Sequence, residues 1–287
     1  MYWQIIANGL LLGGLYSCIA AGFSLVWGVL NIINILHGSL IVLGAYLAYF
    51  AHVEYGLNPF LMAVPVGLAT FVLGYFTQRL VINRVVGKPV LITLSLTFGL
   101  DLILNDAMIT LFRADYRKIL FDPPLGVLEF GSIMLPLDRM IATAMSLISV
   151  ILVWLLLRST RLGRAIIAVR ADIATAPLMG IRVRDIYALS FAIAAALAGV
   201  SGALLAAIFP ISPLMAGGYL GKSFAICVFG GLGNLPGAIA GGLAFGLIES
   251  LGSAWFGPQY TATVSFCVLL ALLYFKPNGM FGKRGFE

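Results

Sequence analysis

Of the chain's 287 residues, 61% are hydrophobic and 10% charged; the mean hydropathy is +1.06 and the formal net charge +6. So little polar surface cannot cover a soluble globule, which makes this a polytopic membrane protein and argues against a nucleic-acid partner. Cys18, Cys227 and Cys267 lie singly in apolar runs without metal-ligand or disulfide spacing, so they read as small buried hydrophobes.

A crossing helix needs about 20 apolar residues. In chain order, runs of that kind lie near 4–28, 34–53, 59–80, 90–112, 139–157, 186–208, 236–254 and 260–275. The first carries no Lys or Arg, the earliest being Arg79, so it reads as a span and not a secretory signal. The stretch 221–234 is apolar but short, and reads as a half-helix or broken span. The predicted fold is therefore an all-α polytopic membrane protein with about eight transmembrane helices plus that half-helix. It forms a single transmembrane domain over 1–287, with no soluble unit long enough to stand alone.

Loop charge orients the spans. Arg79, Arg84 and Lys88 place 79–89 inside. The next loop, 113–139, balances its basic residues with Asp115, Asp122, Glu129 and Asp138, so it reads as external. Six of the 17 Lys and Arg fall between Arg158 and Arg184, opposed only by Asp172, which makes 158–185 cytoplasmic. With Lys276, Lys283 and Arg284 also inside, 222–275 must cross an odd number of times and the N-terminus lies outside.

Within the arginine loop, residues 163–176 read as a short amphipathic helix. Ala165, Ile166, Val169 and Ile173 follow 3-and-4 spacing, and Pro177 with Gly180 stops the run. Such a helix can lie in the lipid interface, but its arginines suit docking to a partner's carboxylates. Glycine pairs at small-xxx-small spacing, Gly9 with Gly13, Gly237 with Gly241 and Gly242 with Gly246, favour tight helix packing over a ligand role.

Polar groups inside spans are costly and usually face a cavity or partner. His37, Asp101, Asp106 and Glu249 stand out on this ground, with Asn105 one helical turn from Asp101, and Asn31 and Asn34 at helical spacing with His37. Plain interhelical hydrogen bonding is the competing reading for each. Residues 216–223 approximate a phosphate-binding loop but have Ala216 in the first glycine position and no preceding strand. Residues 231–236 lack the last glycine of a dinucleotide fingerprint, and no catalytic motif is present.

The sequence resembles the LivH-type permeases, membrane subunits of ABC importers for branched-chain amino acids. The resemblance rests on Gly13-Gly14-Leu15-Tyr16, on Asn34-Ile35-Leu36-His37-Gly38 before Gly44-Ala45-Tyr46, and on Ser159 to Ala165 leading to Leu178-Met179-Gly180-Ile181. Gly230-Gly231-Leu232-Gly233, Pro236-Gly237-Ala238 and Lys276 to Gly282 complete it, while Ile167, Pro177 and Leu36 depart from the usual pattern. It implies an ATPase-coupling role for Arg161, Gly163, Arg164, Arg170, Asp172 and Gly180. It also implies a LivM-like permease partner, two cytosolic ATPase subunits that bind ATP and Mg, a periplasmic solute-binding protein and a bacterial inner-membrane location. No cofactor is expected on this chain. Asn34, His37, Asp101, Asn105 and Glu249 are the candidates for the translocation pathway. Related permeases for urea, short amides or aromatic and dicarboxylic acids remain alternatives, as does a secondary transporter or channel, which leaves the arginine loop without a role.

Overall fold

The structure, a computed structural model, describes residues 2–121, 126–130, 133–276 and 279–280. Asp122, Lys283 and Arg284, used above in the charge argument, lie outside them. Ten α-helices are described: α1 Tyr2–Leu30, α2 His37–Tyr55, α3 Pro59–Leu80, α4 Val90–Phe112, α5 Leu137–Ser159, α6 Arg161–Ala171, α7 Val183–Ile208, α8 Ala216–Gly230, α9 Leu235–Phe256 and α10 Thr261–Phe275. Seven segments are long and apolar enough to cross a membrane: α1, α3, α4, α5, α7, α9, and α10 with its preceding turn. A small antiparallel hairpin, β1 Val127–Phe130 with β2 Ile133–Pro136, joins α4 to α5 and was not anticipated from sequence.

The helices run between two ends, here called the arginine end, which carries α6, and the hairpin end. At the first, Arg79 pairs with Asp185 at 3.6 Å and the Asn83 amide donates to the Arg184 carbonyl. At the second, Gln4 bonds both ways to the Met134 backbone, and Arg117 exchanges backbone hydrogen bonds with Ile211.

The most buried spans are α1 and α7. Small residues let their neighbours approach. On α3, Gly67, Thr70 and Gly74 fit against Val200, Gly199 and Ala195 of α7. Two of the glycine pairs found in sequence form the α1–α9 contact: a methyl on Gly9 or Gly13 would strike the Leu247 or Leu243 backbone, and one on Gly242 or Gly246 would strike Ser17 or Gly13; the third, Gly237 with Gly241, packs against Gly230 and Ile226 of α8.

Two spans are broken. The sequence placed Asn31, Asn34 and His37 on a helical stripe, but residues 31–36 are not a regular helix, and Asn31 adopts a φ of 55°. The chain leaves α1 at the arginine end, where Gly28 meets Gly233, and doubles back until His37 Nε2 lies 3.0 Å from the Ile19 carbonyl. The helix α2 therefore begins midway along α1. The second break is 209–215. The half-helix expected at 221–234 is displaced: α8 occupies Ala216–Gly230, and Gly231 and Gly233, at φ of 96° and 74°, end it with backbone that only glycine adopts freely. Its first residue lies against the first turn of α2, since a methyl on Gly38 would sit 2.2 Å from the Ala216 carbonyl oxygen.

The three helices after this break alternate in direction. The turn at Gly233 is beside Arg170, Ser250 near the end of α9 bonds the Ile5 carbonyl, and Met280 N donates to the Phe229 carbonyl at 2.8 Å. Residues 209–275 thus traverse the bundle three times, the odd number required by the loop charges.

Candidate functional site

The arginine-end helix α6 starts where Thr160 caps it, its Oγ1 accepting from Gly163 N at 3.0 Å. Gly163 is needed for the sharp bend from α5, because a Cβ there would lie 2.2 Å from the Leu157 carbonyl oxygen. Ile166 and Val169 are buried against the bundle. The helix is shorter than the 163–176 expected. Asp172 ends it by folding its carboxylate back onto the amides of Ala174 at 2.8 Å and Thr175 at 3.4 Å, a local bond that competes with helix continuation. Ile173 is consequently off the apolar face and 54% exposed. Hydrogen bonds from the Thr175 side chain and the Ala174 amide hold the Asp172 carboxyl below its ordinary pKa.

Arg161 and Arg164 point into the open, together with Ile167, Ile173, Leu178 and Met179, the last two more than four-fifths exposed. Gly180, at φ 76°, closes this loop. Arg170 differs: it is half-buried, its guanidinium nitrogen lies beside Gly233, and burial lowers its pKa. It links α6 to the α8–α9 turn and is not part of the exposed arginine face.

The junction of the two broken helices holds the first pathway candidates. Asn34 and His37 are 2% and 0% exposed. Among the described residues, Asn34 Oδ1 and His37 Nδ1 have no hydrogen-bond partner, although the His37 ring packs edge-on against Phe23 at 5.7 Å. The irregular 31–36 backbone is secured by Thr97 of α4, whose hydroxyl donates to the Ile33 carbonyl at 3.0 Å and accepts from Ile35 N at 3.5 Å.

The same helix carries Asp101, Asn105 and Asp106. Ser39, in the first turn of α2, donates to Asp101 Oδ1 at 2.6 Å. Asn105 Oδ1 is buried without a hydrogen-bond partner among the described residues, and Asp106 is exposed. Only Thr93, Thr97 and Met108 of α4 are buried, so most of the helix faces away from the bundle.

Glu249 is separate from that group. It is 3% exposed and forms an ion pair with Lys222 at 2.7 Å; the Tyr16 hydroxyl bonds its other oxygen and accepts from Lys222 at 2.6 Å. The Lys222 ammonium also lies over the Tyr16 ring, 4.8 Å from its centre. Lys222 was dismissed in sequence as part of a defective phosphate loop, yet the rule that selected Glu249, an ionisable group in an apolar run, selects it equally. No group of three His, Cys, Asp or Glu side chains close enough to hold a metal occurs among the described residues.

A multi-helix bundle with broken spans meeting at depth and one short helix presented beyond its end defines a membrane transport protein. The chain belongs to the family described as "Branched-chain amino acid transport system / permease component", which it matches over residues 5–273. It is a multi-pass permease of the inner, or plasma, membrane, and its family is one of transport proteins and not of enzymes.

Similarity to curated proteins extends over full length. The chain is 30% identical to the high-affinity branched-chain amino acid transport system permease protein BraD of Pseudomonas aeruginosa, covering 100% of this chain and 97% of that one. With the high-affinity permease protein LivH of Escherichia coli the identity is 29%, at the same coverage. With a probable branched-chain amino acid transport permease protein LivH of Methanocaldococcus jannaschii it is 26%, covering 97% and 92%. No solved structure matches the chain significantly.

Proposed function

We propose that the chain is one permease subunit of a binding-protein-dependent ABC importer for branched-chain or other hydrophobic amino acids. It acts as a single transmembrane domain over 1–287, with loop 158–185 in the cytoplasm. The observation that carries this reading is the face at the arginine end, where Arg161 and Arg164 stand with the exposed apolar side chains of Ile167, Leu178 and Met179. Apolar anchors ringed by cations suit a groove in an acidic-rimmed partner. That partner is a pair of cytosolic ATPases, which bind and hydrolyse ATP with Mg, while this chain performs no catalysis and holds no cofactor.

Movement of α6 passes through Arg170 to the α8–α9 turn and through α8 to the start of α2. A second, LivM-like permease covers α4, whose exposed Asp106 otherwise meets lipid at high cost, with Asp101 and Asn105 partly buried on the same helix. The route follows that interface, with Asn34 and His37 at the hinge that opens it. Glu249 borders the hairpin-end approach to the route, where a periplasmic binding protein delivers solute.

The test is charge reversal at Arg164. In the complex reconstituted with its ATPases, Arg164→Glu reduces uptake and substrate-stimulated ATP hydrolysis while membrane insertion stays normal. Unchanged stimulated hydrolysis overturns the docking assignment.

A further inference from the structure

Near the hairpin end a cavity of about 340 Å³ lies between α1, α5, the end of α7 and α9, its walls including Asn8, Leu12, Arg139, Phe209, Glu249 and Ser253. Two hydrogen bonds fix the heights of its charged groups. Thr143 Oγ1 donates to the Leu11 carbonyl at 2.7 Å, so Arg139, one turn earlier on α5, stands near the level of Asn8. Ser250 Oγ donates to the Ile5 carbonyl at 2.6 Å, which brings the adjacent Glu249 to a similar level on α9.

The two charges differ in one respect. Glu249 is already neutralised by Lys222 and bonded by Tyr16. The Arg139 guanidinium has neither hydrogen bond nor ion pair among the described residues; only its backbone amide is engaged, by Asp138. The cavity therefore carries one uncompensated positive charge beside apolar walls, an arrangement that favours an anionic group with an apolar body. A phospholipid tail fits this lining poorly, because the wall includes the Glu249 carboxylate and the polar groups of Asn8, Ser250 and Ser253. Its volume is at the lower end of small-molecule sites, about 300–1,000 Å³.

We propose that this cavity binds the amino acid itself on its way from the binding protein into the bundle. The α-carboxylate meets Arg139, the apolar side chain lies against Leu12 and Phe209, and the ammonium faces the wall with Glu249 and Ser253. This site rests on the amino-acid reading above and adds to it a place where the permease itself contacts substrate.

The experiment uses the complete complex in lipid nanodiscs without its binding protein, with tritiated leucine as the probe. Saturable binding is expected, displaced by unlabelled leucine but far less by isovalerate, which lacks the ammonium, or isoamylamine, which lacks the carboxylate. Arg139→Gln weakens binding by about tenfold or more, the loss of one charge-assisted contact, and Arg139→Lys loses less. If Arg139→Gln fails to assemble, Leu12→Trp, which fills the cavity and leaves its charges in place, abolishes leucine binding instead.

The proposal is overturned if a complex that takes up leucine with its binding protein shows no saturable binding without it, or if leucine affinity survives both variants. A phospholipid retained by the parent complex and lost from Arg139→Gln in native mass spectrometry, with no leucine bound, overturns it in favour of a lipid site. A complex with intact basal ATPase that transports no amino acid refutes the parent reading, and this site with it.

Discussion

Replacing Lys222 by Met isolates the Glu249 carboxylate, which is 3% exposed and keeps only the Tyr16 hydroxyl. Removing one member of a buried ion pair costs about 3–5 kcal/mol, because the remaining charge stays desolvated without its partner. The Lys222 side chain is itself 25% exposed, so the lower end applies, about 3 kcal/mol. In Lys222→Met/Glu249→Gln both charges are gone and the amide still accepts from Tyr16. Since a buried pair is often replaceable by neutral groups of similar shape, the double variant is expected within about 1 kcal/mol of the parent. Glu249→Gln alone leaves Lys222 without its carboxylate partner and also destabilises, so the coupling recovered by the double-mutant cycle is at least about 2 kcal/mol. Unfolding titrations with sodium dodecyl sulfate on the purified chain in mixed micelles measure all four corners. If the double variant loses the sum of the single losses, the two side chains are energetically independent and the cluster argument fails.

Orientation is tested by impermeant thiol labelling of intact cells: a cysteine replacing Glu129 in the hairpin reacts and one replacing Ser159 does not, and the reverse pattern rejects the assigned sidedness. Gly163→Val drives a side chain into the Leu157 carbonyl and is expected to abolish ATPase co-purification while the chain still inserts, so retained co-purification refutes the steric argument. Asp101→Leu and His37→Leu lower uptake more than assembly, whereas an equal loss of both assigns these residues a purely structural part. Exchanging only the binding protein for one of different specificity that still docks shifts the transported solute to the new protein's ligand. Failure to follow the exchange places selectivity in the permease.

Long spans were legible because hydropathy alone separates them: 59–80 and 90–112 coincide with α3 and α4. The break after α1 was not. Asn31, Asn34 and His37 do have helical spacing, but the turnback at 31–36 is stabilised by the Thr97 hydroxyl on α4 and by the docking of His37 on Ile19, contacts between segments far apart in the chain. The stop of α6 was half legible. Asp172 is a natural competitor for backbone amides, but Pro177 and Gly180 drew the boundary too far on. The hairpin has a local signal, Gly-Ser at 131–132 between two short apolar runs, which the charge balance of the loop does not carry. The exposed arginine face needed only the sequence, whereas the inward turn of Arg170 depends on where the α8–α9 turn lies. Glu249 stood out in the sequence as an ionisable group in an apolar run and Lys222 did not, because their pairing spans two helices and the lysine lies inside a pattern that resembles a phosphate loop.

The placement of α1 constrains how the protein can be made. The span α1 packs chiefly against α7 and α9, through contacts such as Gly22 with Ala194 and Gly9 with Leu247, which lie far downstream in the chain. Until those helices are synthesised, the small-residue faces that α1 turns toward α7 and α9 have no partner. The early spans therefore enter the bilayer as independently stable helices and wait there, and the native bundle closes only after the C-terminal third has inserted. A chain halted before residue 235 carries exposed small-residue surfaces on α1 that invite pairing with any other span at hand, which makes completion of translation the committing step in its assembly.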